Sequence, residues 1–211
     1  MSAAPDAGSV ESEMTSTLTD EIAAAAARLV VDEGMEYGPA KRRAARLLGR
    51  HATRSAALPS NERVEEEVRS HLALFCAETQ PGELAAMRAV ALVWMERLSD
   101  FRPHLAGAVW RGTATRLNAI QLELYCDDSK ATEIALIDRR ITFDVASRPG
   151  PRGEPIDVLV VSHPSMELQD TVTLHLSVLD HDDLRGALKP DARGHTWRGD
   201  LMALRKLMRP A

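Results

Sequence analysis

"GAVWRGTATRLNAIQLELYCDD", residues 107–128, is the stretch on which the fold turns. Within "IQLELY", Ile120, Leu122 and Leu124 fall on one side and Gln121, Glu123 and Tyr125 on the other. That period of two marks a strand with one apolar face. The preceding "GAVWR" reads as an apolar strand, and Gly112-Thr113 as the turn between the two.

Beyond this stretch, "KATEIALIDRR" has helical spacing, "ITFDVAS" alternates again, and "IDVLVVS" and "TVTLHLSVL" are further strands. In the last of these, Val172, Leu174 and Leu176 oppose Thr173, His175 and Ser177. "RPGPRGEP" is a turn or loop. The tail "HDDLRGALKPDARGHTWRGDLMALRKLMRP" suggests two short helices, with Asp180 or Asp182 capping the first and Trp197, Leu201, Leu204 and Met208 on the apolar side of the second. Strands with one polar side predict a sheet covered by helices on a single face. The other face would carry Gln121, Glu123, Asp144, Thr173 and His175.

Before residue 103 the pattern is helical. Thr19 or Asp20 suits the cap of a helix reaching Glu33 and stopped by Gly34. Pro39 opens a second helix, to about Thr53. Ser60 or Asn61 caps a third, with Val64, Val68, Leu72 and Phe75 inward. A fourth follows Pro81-Gly82, with Leu84, Met87, Ala91, Trp94 and Leu98 on its apolar face. The expected divisions are a disordered leader over 1–17, a helical region over 18–102, an α/β domain over 103–179 and a helical tail over 180–211.

A chain of 211 residues, 45% hydrophobic and 27% charged, can bury the core of one large or two small domains. Its net charge of −5 supplies no overall attraction to nucleic acid or membrane, so such binding needs a local patch. "IAAAAARLVV" is too short to span a bilayer and includes Arg28. Two distant cysteines, Cys76 and Cys126, and no basic start to the leader suggest reduced thiols and a cytoplasmic location.

Strand, Gly-Thr turn and a strand with polar residues at alternate positions resemble the nucleotidyltransferase superfamily of the DNA polymerase β type, in a degenerate form. The resemblance covers roughly residues 103–178 and implies an α+β fold, with the N-terminal helical region packed on a small mixed sheet. It also implies a turn that holds nucleotide phosphates, two carboxylates at i and i+2 of one strand on divalent metal, and a third on a later strand. Such spacing lets two side chains share an ion. Carried onto this chain, Gly112 and Thr113 are the phosphate turn, with Arg111 or Arg116 offsetting phosphate charge. The carboxylate pair aligns either with Gln121 and Glu123, one acid lost, or with Ala119 and Gln121, both lost. Asp157 takes the third position, with Asp144 as competitor. Glu123 and Asp157 are then the expected catalytic and Mg²⁺-binding residues. The implied function is binding of a nucleotide or nucleotidyl acceptor, with metal-dependent transfer weak or lost.

The alternative is a non-enzymatic adaptor for nucleic acid or an acidic protein. "AKRRAARLLGRHATR" places Arg43, Arg46, Arg50 and Arg54 along one side of the second helix, beside Lys41 and Arg42. Such a row grips phosphates, or pairs with Glu65, Glu66 and Glu67 on the next helix. The tail adds Arg193, Arg198, Arg205, Lys206 and Arg209 beside Trp197.

Overall fold

Burial of alternate residues organises the C-terminal two thirds of the chain. Ile120, Leu122 and Leu124 are each fully buried, as are Leu174 and Leu176. They belong to β2 (Ile120–Tyr125) and β5 (Asp170–Leu179), which run parallel with Leu122 opposite Leu176. Around this pair lie β1 (His104–Ala106), β3 (Asp144–Pro149), β4 (Pro155–Ser165) and the two-residue β6 (Arg198–Gly199). The sheet order is β3-β4-β5-β2-β1-β6, with every pairing antiparallel except β2–β5. The computed structural model describes residues 7–49, 58–185, 187–190 and 194–209.

The protein is α+β and divides into two compact units, Met1–Ala77 and Glu78–Ala211. The first holds α1 (Ala7–Glu33), α2 (Tyr37–Leu47) and α3 (Asn61–Phe75). Its core is small: Ala23, Ala26, Ala27, Ala40, Ala44 and Ala45 pack with Ile22, Val30, Val64 and Val68. Alanines let helices approach closely, while the valines, Ile22, Leu29, Tyr37 and Leu72 supply the bulk between them. Ser60 caps α3, accepting from the Arg63 amide at 3.1 Å. Phe75, expected inward, is 72% exposed and stacks on His71 instead.

In the second unit, α4 (Gln80–Arg97), α5 (Gly107–Arg111), α6 (Ser129–Asp138) and α7 (Leu201–Leu207) all pack against one side of the sheet. Met87, Ala91 and Trp94 of α4, Val109, Leu136 and Leu204 meet the row formed by Leu105, Leu122, Leu159, Val161 and Leu176. These helices meet the apolar face, while Glu123, Tyr125, Val158 and Ser177 of the other face are buried as well.

Several boundaries differ from expectation. Helix α1 begins at Ala7, inside the stretch expected as a leader, and Asp20 binds Arg63 at 2.8 Å rather than capping. The unit boundary falls after Ala77, so α4 belongs with the sheet and not with the other helices. What packs on the sheet from the expected helical region is therefore α4. "GAVWR" is helix α5 rather than strand. Residues 141–143 precede β3, with Ile141 and Phe143 packed against the core. In the tail, the Asp180 carboxylate does cap a 3₁₀ turn, but Arg198-Gly199 forms a strand.

Gly199 is the tightest point of this unit. A Cβ there would stand 2.1 Å from Cη2 of Trp110, whose indole N–H donates to the Thr196 carbonyl at 2.8 Å. Gly199→Ala is expected to destabilise the protein by about 2 kcal/mol through overpacking. A fall in the urea midpoint with an unchanged slope would show it.

Candidate functional site

The Gly112-Thr113 turn is the end of a helix. Gly112 sits at φ +81°, where glycine carries no steric penalty, as the C-cap of α5. Its amide and that of Thr113 both donate to the Ala108 carbonyl, the latter at 2.9 Å. The Thr115 amide donates to Asn118 and the Arg116 amide to the Glu83 carboxylate, at 2.8 and 3.0 Å. Gln80 of α4 donates to the Gly112 and Ala114 carbonyls. A phosphate cradle needs free amides. Here those amides are engaged, Glu83 adds negative charge beside them, and Arg116 lies 3.9 Å from Glu83. The phosphate role expected of Gly112, Thr113 and Arg116 is therefore not supported by the turn's hydrogen bonding. Arg111 instead lies over the Trp197 ring, 5.8 Å from its centroid. The half-buried Arg88 donates to the carbonyls of Val109 and Trp110 and closes the end of α5.

Nor do the two expected acids converge. Glu123 is opposite Ser177 and His104, on the face away from the helices. On β4, Val158 pairs with Ser177, so Asp157 has the opposite parity and points to the helix-covered side. Strand β5 also separates the two. Asp157 lies 3.9 Å from Lys130 of α6. Shared ligation of one Mg²⁺ by Glu123 and Asp157 is excluded by this geometry. Among the described residues, no group of three His, Cys, Asp or Glu side chains is placed to hold a metal ion.

Glu123 has a different role. It is 9% exposed, and its carboxylate accepts from Arg198 at 2.5 Å and from the Tyr125 hydroxyl at 2.8 Å. Arg198 also donates to Tyr125, and His104 meets the Tyr125 ring edge-on with centroids 5.3 Å apart. The Nδ1–H of His104 donates to the Arg102 carbonyl at 2.9 Å. This network ties β6, from the chain's last 15 residues, across β1 to β2. Burial raises the Tyr125 phenol above its usual range, and the adjacent Glu123 charge adds to the shift.

Two residues along the same strands stands another polar pair. Gln121 and His175 are cross-strand partners, and the Gln121 amide donates to His175 Nδ1 at 3.0 Å. Gly107, at φ +68°, lies against Gln121: a Cβ there would stand 2.9 Å from Cγ of Gln121. The order strand, glycine, short helix, strand is thus β1–Gly107–α5–β2. Gly107, not Gly112, is the glycine facing the alternating strand. Sequence reading missed it because "GAVWR" looks like strand; the signal was a glycine following the apolar "HLA". Of the other face residues, Thr173 and Asp144 share this side, Asp144 lying two strands from His175 with Val160 of β4 in register between them.

The basic row on α2 is partly engaged. Arg43 pairs with Glu33, and Lys41 donates to the Pro59 carbonyl and Asn61. Arg46 is exposed, as is Arg42; Arg50 and Arg54 lie outside the described residues, as does Arg193. Glu65, Glu66 and Glu67 form ion pairs within their own helix, with Arg69 and Arg63. In the tail, Arg205 pairs with Glu96 at 2.6 Å. No helix among the described residues is long and apolar enough to cross a membrane.

Comparison with family models, curated proteins and solved structures found no match to this chain.

Glu123→Ala is expected to destabilise the protein by about 3 kcal/mol, because it strands Arg198 in a largely buried place; chemical denaturation measures it. The raised Tyr125 group contributes stability that is intact below about pH 10 and is lost as pH rises further. Tyr125→Phe should flatten that alkaline decline in a series of thermal melts.

Proposed function

We propose that this chain is a nucleotidyltransferase-like protein that binds a nucleotide or nucleotidyl acceptor and has lost metal-dependent transfer. One observation carries the reading: Gly107 closes against Gln121, and Gln121 is hydrogen-bonded to His175 on the neighbouring parallel strand. In the superfamily that the sequence resembles, carboxylates occupy alternate positions of that strand and a position on a later one. Here Ala119 and Gln121 stand at the first pair, and His175 at the third. This supports the alignment in which both paired acids are lost.

The chemistry follows from the substitution. Mg²⁺ prefers anionic oxygen ligands and gives up its water reluctantly. An amide and an imidazole bring no negative charge, so the site loses the attraction that would dehydrate the ion. The same two groups suit recognition of a polar ligand by hydrogen bonds, since they offer both donor and acceptor atoms. The mechanism proposed is binding without transfer.

Thermal unfolding with ATP, CTP, GTP or UTP, each with Mg²⁺ or with EDTA, tests this. At least one nucleotide should raise Tm, equally in both conditions, and Gln121→Ala or His175→Ala should remove the rise. No shift with any of the four would refute nucleotide binding; a shift that requires Mg²⁺ would refute the metal-free site.

A second reading, an adaptor for nucleic acid, is favoured by the exposure of Arg42 and Arg46 one turn apart on α2. It predicts RNA binding that weakens with salt and is lost on Arg46→Glu.

A further inference from the structure

An arginine on an edge strand ordinarily extends into water and discourages further strand pairing. Arg148 of β3 does not. Its side chain crosses β4 and reaches β5, donating from Nε and a terminal nitrogen to Ser177 Oγ at 3.2 and 3.1 Å. The span from β3 to β5 is two strand spacings, about 10 Å. Ser177 is the cross-strand partner of Glu123 and stands two residues from His175 on the same face. A guanidinium is therefore held on β5 at Ser177, two residues along that strand from His175.

The charges around it are unequal. Glu123 is already neutralised by Arg198, which enters from the opposite edge of the sheet. The anchor of Arg148 is a hydroxyl, which orients the guanidinium but brings no charge. Asp144, the other acid of this face, is four residues along β3 from Arg148, about 13 Å at the backbone. Arg148 remains exposed, so a solute can reach it. A planar fork held in place at Ser177 and not neutralised by that anchor suits bidentate contact with phosphoryl oxygens.

We infer that Arg148, anchored by Ser177, is the cation of this face and receives the phosphoryl groups of a di- or triphosphate ligand where a metal ion would otherwise stand. The inference rests on the binding site proposed above, and it names the part of the ligand and the charge that answers it. Arg148 binds and orients; no bond is made or broken.

Isothermal titration calorimetry on the full chain in EDTA separates the two ideas, with sodium pyrophosphate and the four nucleoside triphosphates as probes. Wild type should bind pyrophosphate, and Arg148→Ala should weaken that binding about tenfold or more. Arg148→Lys, which keeps the charge but not the fork, should fall between. Arg139→Ala, which removes an exposed arginine at the C-cap of α6, should change nothing. Circular dichroism and Tm confirm that each variant is folded. Absence of pyrophosphate binding, or an equal loss in Arg139→Ala, would overturn the role of Arg148. So would triphosphate binding that survives Arg148→Ala undiminished, while leaving nucleotide binding itself intact. Arg148-dependent binding of pyrophosphate without preference for any nucleotide would uphold the anion site and reject the nucleotide reading.

Discussion

The parallel pairing of β2 with β5 is the constraint from which the rest of the second unit follows. Six registered pairs run from Ile120 opposite Leu174 to Tyr125 opposite Leu179. Because side chains alternate, burying Ile120, Leu122 and Leu124 with Leu174, Leu176 and Val178 commits the residues between them to the other face. Full burial of one such side chain stabilises by roughly 1.5–3 kcal/mol, so a one-residue slip would forfeit most of the core. Gln121 must therefore meet His175, and Glu123 must meet Ser177. The apolar row also receives α4, α5, α6 and α7, which leaves the polar row on the face away from them.

Two kinds of polar group occupy that side, and their surroundings separate them. Glu123, Tyr125, His104 and Arg198 form a buried network in which the carboxylate already has a guanidinium and a phenol as donors. Groups satisfied in this way hold strands together and have little left for a ligand. Gln121, His175 and Arg148 are partly or fully exposed, and the first two are hydrogen-bonded to each other. The division explains why the acid that looked most like a metal ligand is a structural tie, whereas Gln121 and His175 beside it are only partly buried.

How far the sequence could be read depended on the range of the interaction involved. The alternation in "IQLELY" and "TVTLHLSVL" is local, so β2 and β5 were legible almost to the residue, along with the polar set Gln121, Glu123, Thr173 and His175. The apolar face of α4 was legible for the same reason. "GAVWR" was not, since a five-residue apolar run has no period to distinguish helix from strand. Its helical state depends on Arg88 closing its carbonyls and on Trp110 seated against Gly199, contacts made by segments about 20 and 90 residues away. The break after Ala77 was equally hidden, because α3 and α4 each bury apolar residues and nothing local says which core each joins.

By itself, then, the amino-acid order determined the class of fold, the strands with one polar side and the residue types available on that side. Local periodicity suffices for those, because a side chain's direction in a strand depends on its position and not on its neighbours in space. Strand order and register were decided only by the assembled sheet. They turned Asp157 away from Glu123, gave Glu123 to Arg198, and carried Arg148 from an edge strand to Ser177. Each of those outcomes depends on which strands became neighbours, a property of long-range packing that no short window of sequence contains.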